Sequence, residues 1–141
     1  MELFRSFNIS ASALTAEKVR VDTVASNLAN MQTTRTAAGG PYRRKTVVFS
    51  ERLDQVRQVP PKFRGQGVRV SAVVDDPNPP RQEYDPEHPD ANEAGFVSYP
   101  NIELAKEMTD LITASRSYEA NTTVINTAKS LYLKTLEIGR G

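Results

Sequence analysis

"VASNLANMQTTRTAAGGPYRRK", Val24 to Lys45, is the stretch on which the reading of this chain turns. Up to Leu28 the residues keep a helical rhythm, and after Asn30 they give way to Thr, Ala, a Gly-Gly-Pro and a basic cluster. Asn27 and Asn30 stand at the join. Asn is a mediocre helix former because its amide competes for nearby backbone groups, so the pair implies a specific use. Both lie off the apolar row that ends at Leu28, which leaves their amides free to cap the last carbonyls or to bond another chain's backbone.

Working back from Leu28, the residues Phe7, Ala11, Leu14, Lys18, Val21, Ala25 and Leu28 alternate spacings of four and three, the a/d repeat of a helix seam. Only Lys18 departs from small or apolar. The spacing predicts a helix from about Leu3 to about Asn30, roughly 40 Å long at 1.5 Å per residue.

The far end of the chain repeats the rhythm in Leu104, Met108, Leu111, Ser115, Tyr118, Thr122, Ile125, Lys129, Tyr132 and Leu136. A second row, Ala114, Ser117, Asn121, Val124, Ala128, Leu131 and Ile138, runs beside it and widens the stripe, so that this helix can touch more than one neighbour. Asn101 after Pro100 is placed as its N-cap, Glu103 lies in its first turn, and Gly139 follows its end.

Working forward from Lys45, Gly, Pro and short β-like runs take over. "YRRKTVVF" (Tyr42 to Phe49), "VRVSAVV" (Val68 to Val74) and "GFVSY" (Gly95 to Tyr99) read as strands, with Pro60, Pro61, Pro77, Pro79, Pro80, Pro86 and Pro89 breaking the stretches between them. The expected fold is mainly α with a small β insertion, its N- and C-terminal long helices forming a coiled-coil-like pair. Residues 1–36 supply the first helix, 37–99 the loop-rich β insertion and 100–141 the second helix.

Composition narrows the function. The 141 residues suffice for one ordinary domain, and 38% hydrophobic content with 25% charge is lean for a self-sufficient core, which suggests a partner with apolar surface. A net charge of +1 gives no general pull toward nucleic acid or membrane. The absence of Cys excludes disulfides, thiolate nucleophiles and Cys-based metal sites. The start, "MELFRSFNISASALTAEKVRVD", lacks the basic and unbroken apolar regions of a cleaved secretory signal, and no stretch has the length of a membrane span.

Charges are sorted within the insertion. Arg43, Arg44, Lys45, Arg52, Arg57, Lys62, Arg64 and Arg69 outnumber Glu51 and Asp54, and then Asp75, Asp76, Glu83, Asp85, Glu87, Asp90 and Glu93 outnumber Arg81. The basic triplet at 43–45 suits a strand edge, and the two runs suit contact between one chain's basic face and another's acidic face. A calcium loop begun at Asp90 lacks two key ligands, with Ala94 at its fifth place and Asn101 at its twelfth. Paired carboxylates such as Asp85 and Glu87 have no desolvating cleft in a Pro-punctuated loop. The lone His88 reads as exposed, and no phosphate loop is present. No cofactor, metal or catalytic residue is expected.

Long striped helices at both ends leave apolar surface uncovered in a simple pair, and packing many copies into a tube removes that exposure. Here the motifs become specific. "ASNLANMQTTRT" (Ala25 to Thr36) resembles the N-terminal signature of bacterial flagellar axial proteins, the rod and hook family, and "GGPYRRK", "YDPEHPDANEAGFV" and "SRSYEANTTVINTAKSLYLKTLEIGR" resemble its proximal rod members. The resemblance spans most of the chain and is less distinctive in "QVRQVPPKFRGQGVRVSAVV".

What the resemblance implies is a structural subunit of the periplasmic rod, the drive shaft that carries torque from the motor's membrane ring. Its partners would be other copies, other rod proteins, the basal-body membrane ring and the flagellar type III export apparatus, with no nucleic acid, no membrane insertion and no cleaved signal. The expected interface residues are Leu14, Val21, Asn27, Leu28, Asn30, Leu111, Tyr118, Ile125, Tyr132 and Leu136. Two other readings stand beside it: a metal-binding or hydrolytic protein using the acidic loop 83–93, and a helical export adaptor.

Overall fold

A computed structural model of the chain describes residues 2–53 and 65–139. Two long helices flank a small β insertion: α1 (Glu2–Ala29), β1 (Lys45–Leu53), β2 (Gly65–Asp75), β3 (Arg81–Tyr84), β4 (Phe96–Tyr99) and α2 (Leu104–Ile138). The expected breaker Pro60-Pro61 and the basic residues Arg57, Lys62 and Arg64 lie outside the described residues.

The helices run antiparallel. Asn27 meets Glu107 at one end of the pair, and at the other the rings of Phe4 and Tyr132 meet edge to face at 5.7 Å. The 28 residues of α1 span roughly 42 Å and the 35 of α2 roughly 52 Å. No helix among the described residues is long and apolar enough to cross a membrane.

The strands form two separate antiparallel pairs, β1 with β2 and β3 with β4. In the first, Lys45 lies opposite Asp75, Val47 opposite Val73 and Val48 opposite Ala72, and then the register slips so that Phe49 faces Val70. Ser71 is the extra residue of this bulge, and its hydroxyl donates to the Val48 carbonyl at 3.0 Å. The β1–β2 ribbon packs along α1, whereas β3 and β4 form a small hairpin-like unit that touches neither strand of the ribbon among the described residues.

The ribbon can lie this close to α1 because of Gly67. Its φ of +108° is accessible to glycine, and a Cβ there would collide with the Ser12 hydroxyl. That hydroxyl donates to the Ile9 carbonyl at 2.7 Å and accepts the Val68 N–H at 3.1 Å, stitching strand to helix.

Two expectations are corrected here. The buried residues of α1 are Ser10, Ser12, Ala16, Val24 and Asn27, while Phe7, Lys18 and Ala25 of the expected seam are exposed on another side of the helix. Lys18, the one charged residue in that row, marks a face turned to water. The start of α2 also moves: the Ile102 N–H donates to the Pro100 carbonyl at 2.9 Å, a tight turn that buries Ile102 and delays the helix to Leu104. Glu103, not Asn101, occupies the cap position, and its side chain makes no cap bond. Gly139 does follow the helix end, in an ordinary right-handed conformation.

Candidate functional site

Between α1 and β1 the chain doubles back on itself. Gly39 and Gly40 both adopt positive φ, 86° and 73°, and the Thr36 and Tyr42 N–H groups bond the Gly40 and Thr33 carbonyls on either side of the reversal. This turn returns Tyr42, Arg44 and Lys45 to the end of α1. There they surround Asn27.

Asn27 is 0% exposed and its amide is fully engaged. The nitrogen donates to the Lys45 carbonyl at 2.9 Å and to Glu107 Oε2 at 3.0 Å, and the oxygen accepts from the Lys45 N–H at 2.9 Å and from the Tyr42 hydroxyl at 3.1 Å. Those four bonds use both donors and both lone pairs. Asn27 thus joins α1, β1 and α2 of its own chain. Asn30 takes the capping role instead, donating to the Ser26 carbonyl at 2.9 Å and accepting from Thr33 at 3.2 Å.

Glu107 is also 0% exposed, and burying a carboxylate is tolerable only when it is paired and hydrogen-bonded. Arg44 Nε donates to it at 2.6 Å, and the same guanidinium lies 3.5 Å from Asp76 and 3.7 Å from Asp110 and donates to Thr46 at 2.8 Å. Arg20 reaches Asp110 at 3.3 Å. The Asp76 carboxyl is held below its ordinary range, chiefly by the Asn78 N–H and also by the Asn78 amide and Arg44, against an opposing desolvation.

The sorted charges of the insertion are thus partly consumed inside one chain. Arg44 pairs inward, and Lys45 meets Asp75 at 3.2 Å directly across the ribbon. Arg43 alone of the triplet remains exposed without an ion pair among the described residues. In the acidic loop, Asp90 is bound by Thr34 at 2.8 Å and approached by Arg35 at 3.6 Å, and the ring of His88 accepts the Asp90 N–H at 3.0 Å. His88 is half-buried near the Tyr99 ring rather than exposed. Among the described residues no three acidic or His side chains converge as a metal set would.

The other expected interface residues divide by depth. Leu14, Val21, Leu28, Leu111 and Ile125 are half-buried, while Tyr118, Tyr132 and Leu136 are exposed at 41%, 43% and 47%. Leu104, Met108 and Ile112 also lie open to water on α2, on the side away from buried Ala114 and Ala128. What sequence reasoning missed is the polar clamp of Arg44, Tyr42 and Glu107. Its signal was a Glu placed three residues after Leu104 and four before Leu111, inside the very stretch expected to pack.

Comparison with known proteins lands on the same two helices. A family model described as "Flagella basal body rod protein" matches residues 7–35, and one described as "Flagellar basal body rod FlgEFG protein C-terminal" matches 93–138. Proteins named flagellar basal-body rod protein FlgC are similar throughout: that of Borreliella burgdorferi is 42% identical over all of both chains, that of Bacillus subtilis 44% and that of an Escherichia coli strain 43%, each of the last two over 99% of this chain and 100% of its own. With its helix pair, its turn signature at Asn27 and this full-length similarity, the chain belongs to the FlgC family of flagellar basal-body rod proteins.

Proposed function

We propose that the chain is a structural subunit of the proximal rod of the bacterial flagellar basal body, polymerising into the shaft that transmits motor torque across the periplasm. The observation that carries this reading is the apolar surface left open on both helices, in a chain whose similarity to rod proteins runs from end to end. Leu104, Met108 and Ile112 form a row that α1 does not cover, and a tube of parallel copies would bury it. In this reading Leu14, Val21, Leu28, Asn30, Leu111, Tyr118, Ile125, Tyr132 and Leu136 supply contacts between subunits. The chain performs no catalysis, leaves the cytoplasm through the flagellar type III apparatus, and meets other rod proteins and the membrane ring.

The test is deletion and complementation in a flagellated host. Cells lacking the chain should assemble no rod and fail to swim, and a tagged copy should restore swimming and co-purify with detergent-washed basal bodies. Swimming without the chain, or a restoring copy found only in the soluble fraction, overturns the reading.

A further inference from the structure

The β1–β2 ribbon has two faces. Alternation and register place Val47, Val68 and Val70, half-buried, on the side toward α1 together with the exposed Phe49 and Val73, and Thr46, Val48, Ala72 and Val74, all exposed, on the other side. Val48 and Val74 are 41% and 44% exposed, an outward apolar strip left open among the described residues. Toward its far end the strip is flanked by Arg52 and Arg69, exposed and without an ion pair among the described residues; Arg69 only donates to Ser50 at 3.0 Å.

The β3–β4 unit carries the matching features. Tyr84 and Phe96 stack edge to face at 5.3 Å while remaining 64% and 41% exposed, a protruding aromatic pair. The loop they enclose bears Asp85, Glu87 and Glu93, which have no ion pair among the described residues, since Glu83 is taken by Arg81 and Asp90 by Arg35. Among the described residues, neither β3 nor β4 touches a strand of the ribbon.

We propose that the outer face of the ribbon is the docking surface for the acidic β3–β4 tip of a second copy of this chain, Tyr84 and Phe96 lying on Val48, Ala72 and Val74 with Glu87 and Glu93 toward Arg52 and Arg69. The occupant is chosen by complementarity: both surfaces have an apolar centre, and each carries the charge that the other lacks once the internal pairs are set aside. The contact joins different patches on the two copies, so it can pass from copy to copy as the contacts of a helical shaft must. It rests on the reading of the chain as a rod subunit and supplies that reading with one specific contact outside the helices.

The experiment places a photo-crosslinking amino acid at Val48, and separately at Ala72, in the full chain expressed in flagellated cells. The expected product is a dimer of this chain in washed basal bodies, its adduct mapped by mass spectrometry to residues 84–96. An adduct with a different protein, or none at either position although the chain is present in basal bodies, overturns the contact while leaving the rod reading intact. Absence of the unaltered chain from basal bodies overturns the rod reading itself. Charge reversal gives the second measurement: Arg52→Glu with Arg69→Glu should cut basal-body incorporation roughly tenfold, about 1.4 kcal/mol, and Glu87→Lys with Glu93→Lys in the same chain should restore most of it. No restoration, with all variants exported normally, also counts against the contact.

Discussion

The two ends of the helix pair are built on opposite chemistry. At the Asn27 end, a buried amide, a buried carboxylate and a guanidinium bond across three segments of the chain, and each polar position on Asn27 is met. At the Phe4 end, one aromatic contact joins the helices while Leu131, Leu133, Leu136 and Ile138 stay open, Ile138 at 82%. The difference teaches that the bonds fixing one arrangement of the chain gather at one end, whereas open apolar side chains occur at both, Leu104, Met108 and Ile112 lying beside Glu107 itself. Hydrogen-bonded burial defines a single arrangement, whereas unsatisfied apolar area gains from any well-shaped neighbour.

The largest expected effect comes from breaking the polar end. Arg44→Met should destabilise the purified chain by about 3 to 5 kcal/mol in denaturant unfolding, because Glu107 is left buried without its cation. Restoring neutrality with Glu107→Gln in the same chain should recover much of that loss. Equal stability of Arg44→Met and the parent would mean that the clamp is not closed in solution.

Next is the seam between ribbon and helix. Gly67→Ala should cost about 1 to 3 kcal/mol, since the added methyl meets the Ser12 hydroxyl at a φ that alanine resists. Ser12→Ala should be milder, and combining it with Gly67→Ala should cost less than the sum of the two, because the collision is shared. A strictly additive pair would place the strain elsewhere.

At the apolar end the effect should move from stability to assembly. Leu136→Asp should alter monomer unfolding by only about 0.5 kcal/mol, yet abolish incorporation into basal bodies without stopping export, because each subunit in the shaft loses about 1.5 to 3 kcal/mol of apolar burial. Hydrogen exchange on dilute monomer should agree, with slower amides around Asn27 than at residues 4–8 or 131–138. Uniform protection of both ends would erase the contrast.

The smallest effect concerns pH. The Asp76 carboxyl titrates lower in the folded chain than in the unfolded one, so its contribution is complete above the ordinary carboxylate range and is lost only as pH falls through its depressed folded value. Asp76→Asn should therefore shift stability by a constant amount between pH 6 and 8, roughly the window in which ordinary carboxylates stay ionised, and the gap should close in acid. A gap that varies between pH 6 and 8 would assign the dependence to another group.

Much of this architecture was legible because it rests on periodicity. The long helices and the ribbon follow from spacings that local geometry imposes. β3 escaped notice because "RQEY" carries no alternation and all four residues are exposed, so among the described residues it is supported by pairing with β4 across the acidic loop. The rotation of α1 was hidden for a different reason: its buried face includes Ser12 and Asn27, which no apolar count selects. Asn27 was recognisable as anomalous, but its partners lie 18 and 80 residues away, and only the folded chain brings Lys45 and Glu107 to it.

That separation along the chain has a kinetic consequence. A polypeptide delivered N-terminus first, whether from a ribosome or through a narrow channel, presents Asn27 early, then Arg44, and Glu107 only after three quarters of its length has emerged. Until then the polar cluster lacks its anionic centre, and local helices alone are marginal in water. Loop closure over so long a span is also slow to begin. The position of one buried carboxylate near the start of the last helix thus means that the clamp can close only after about three quarters of the chain is free.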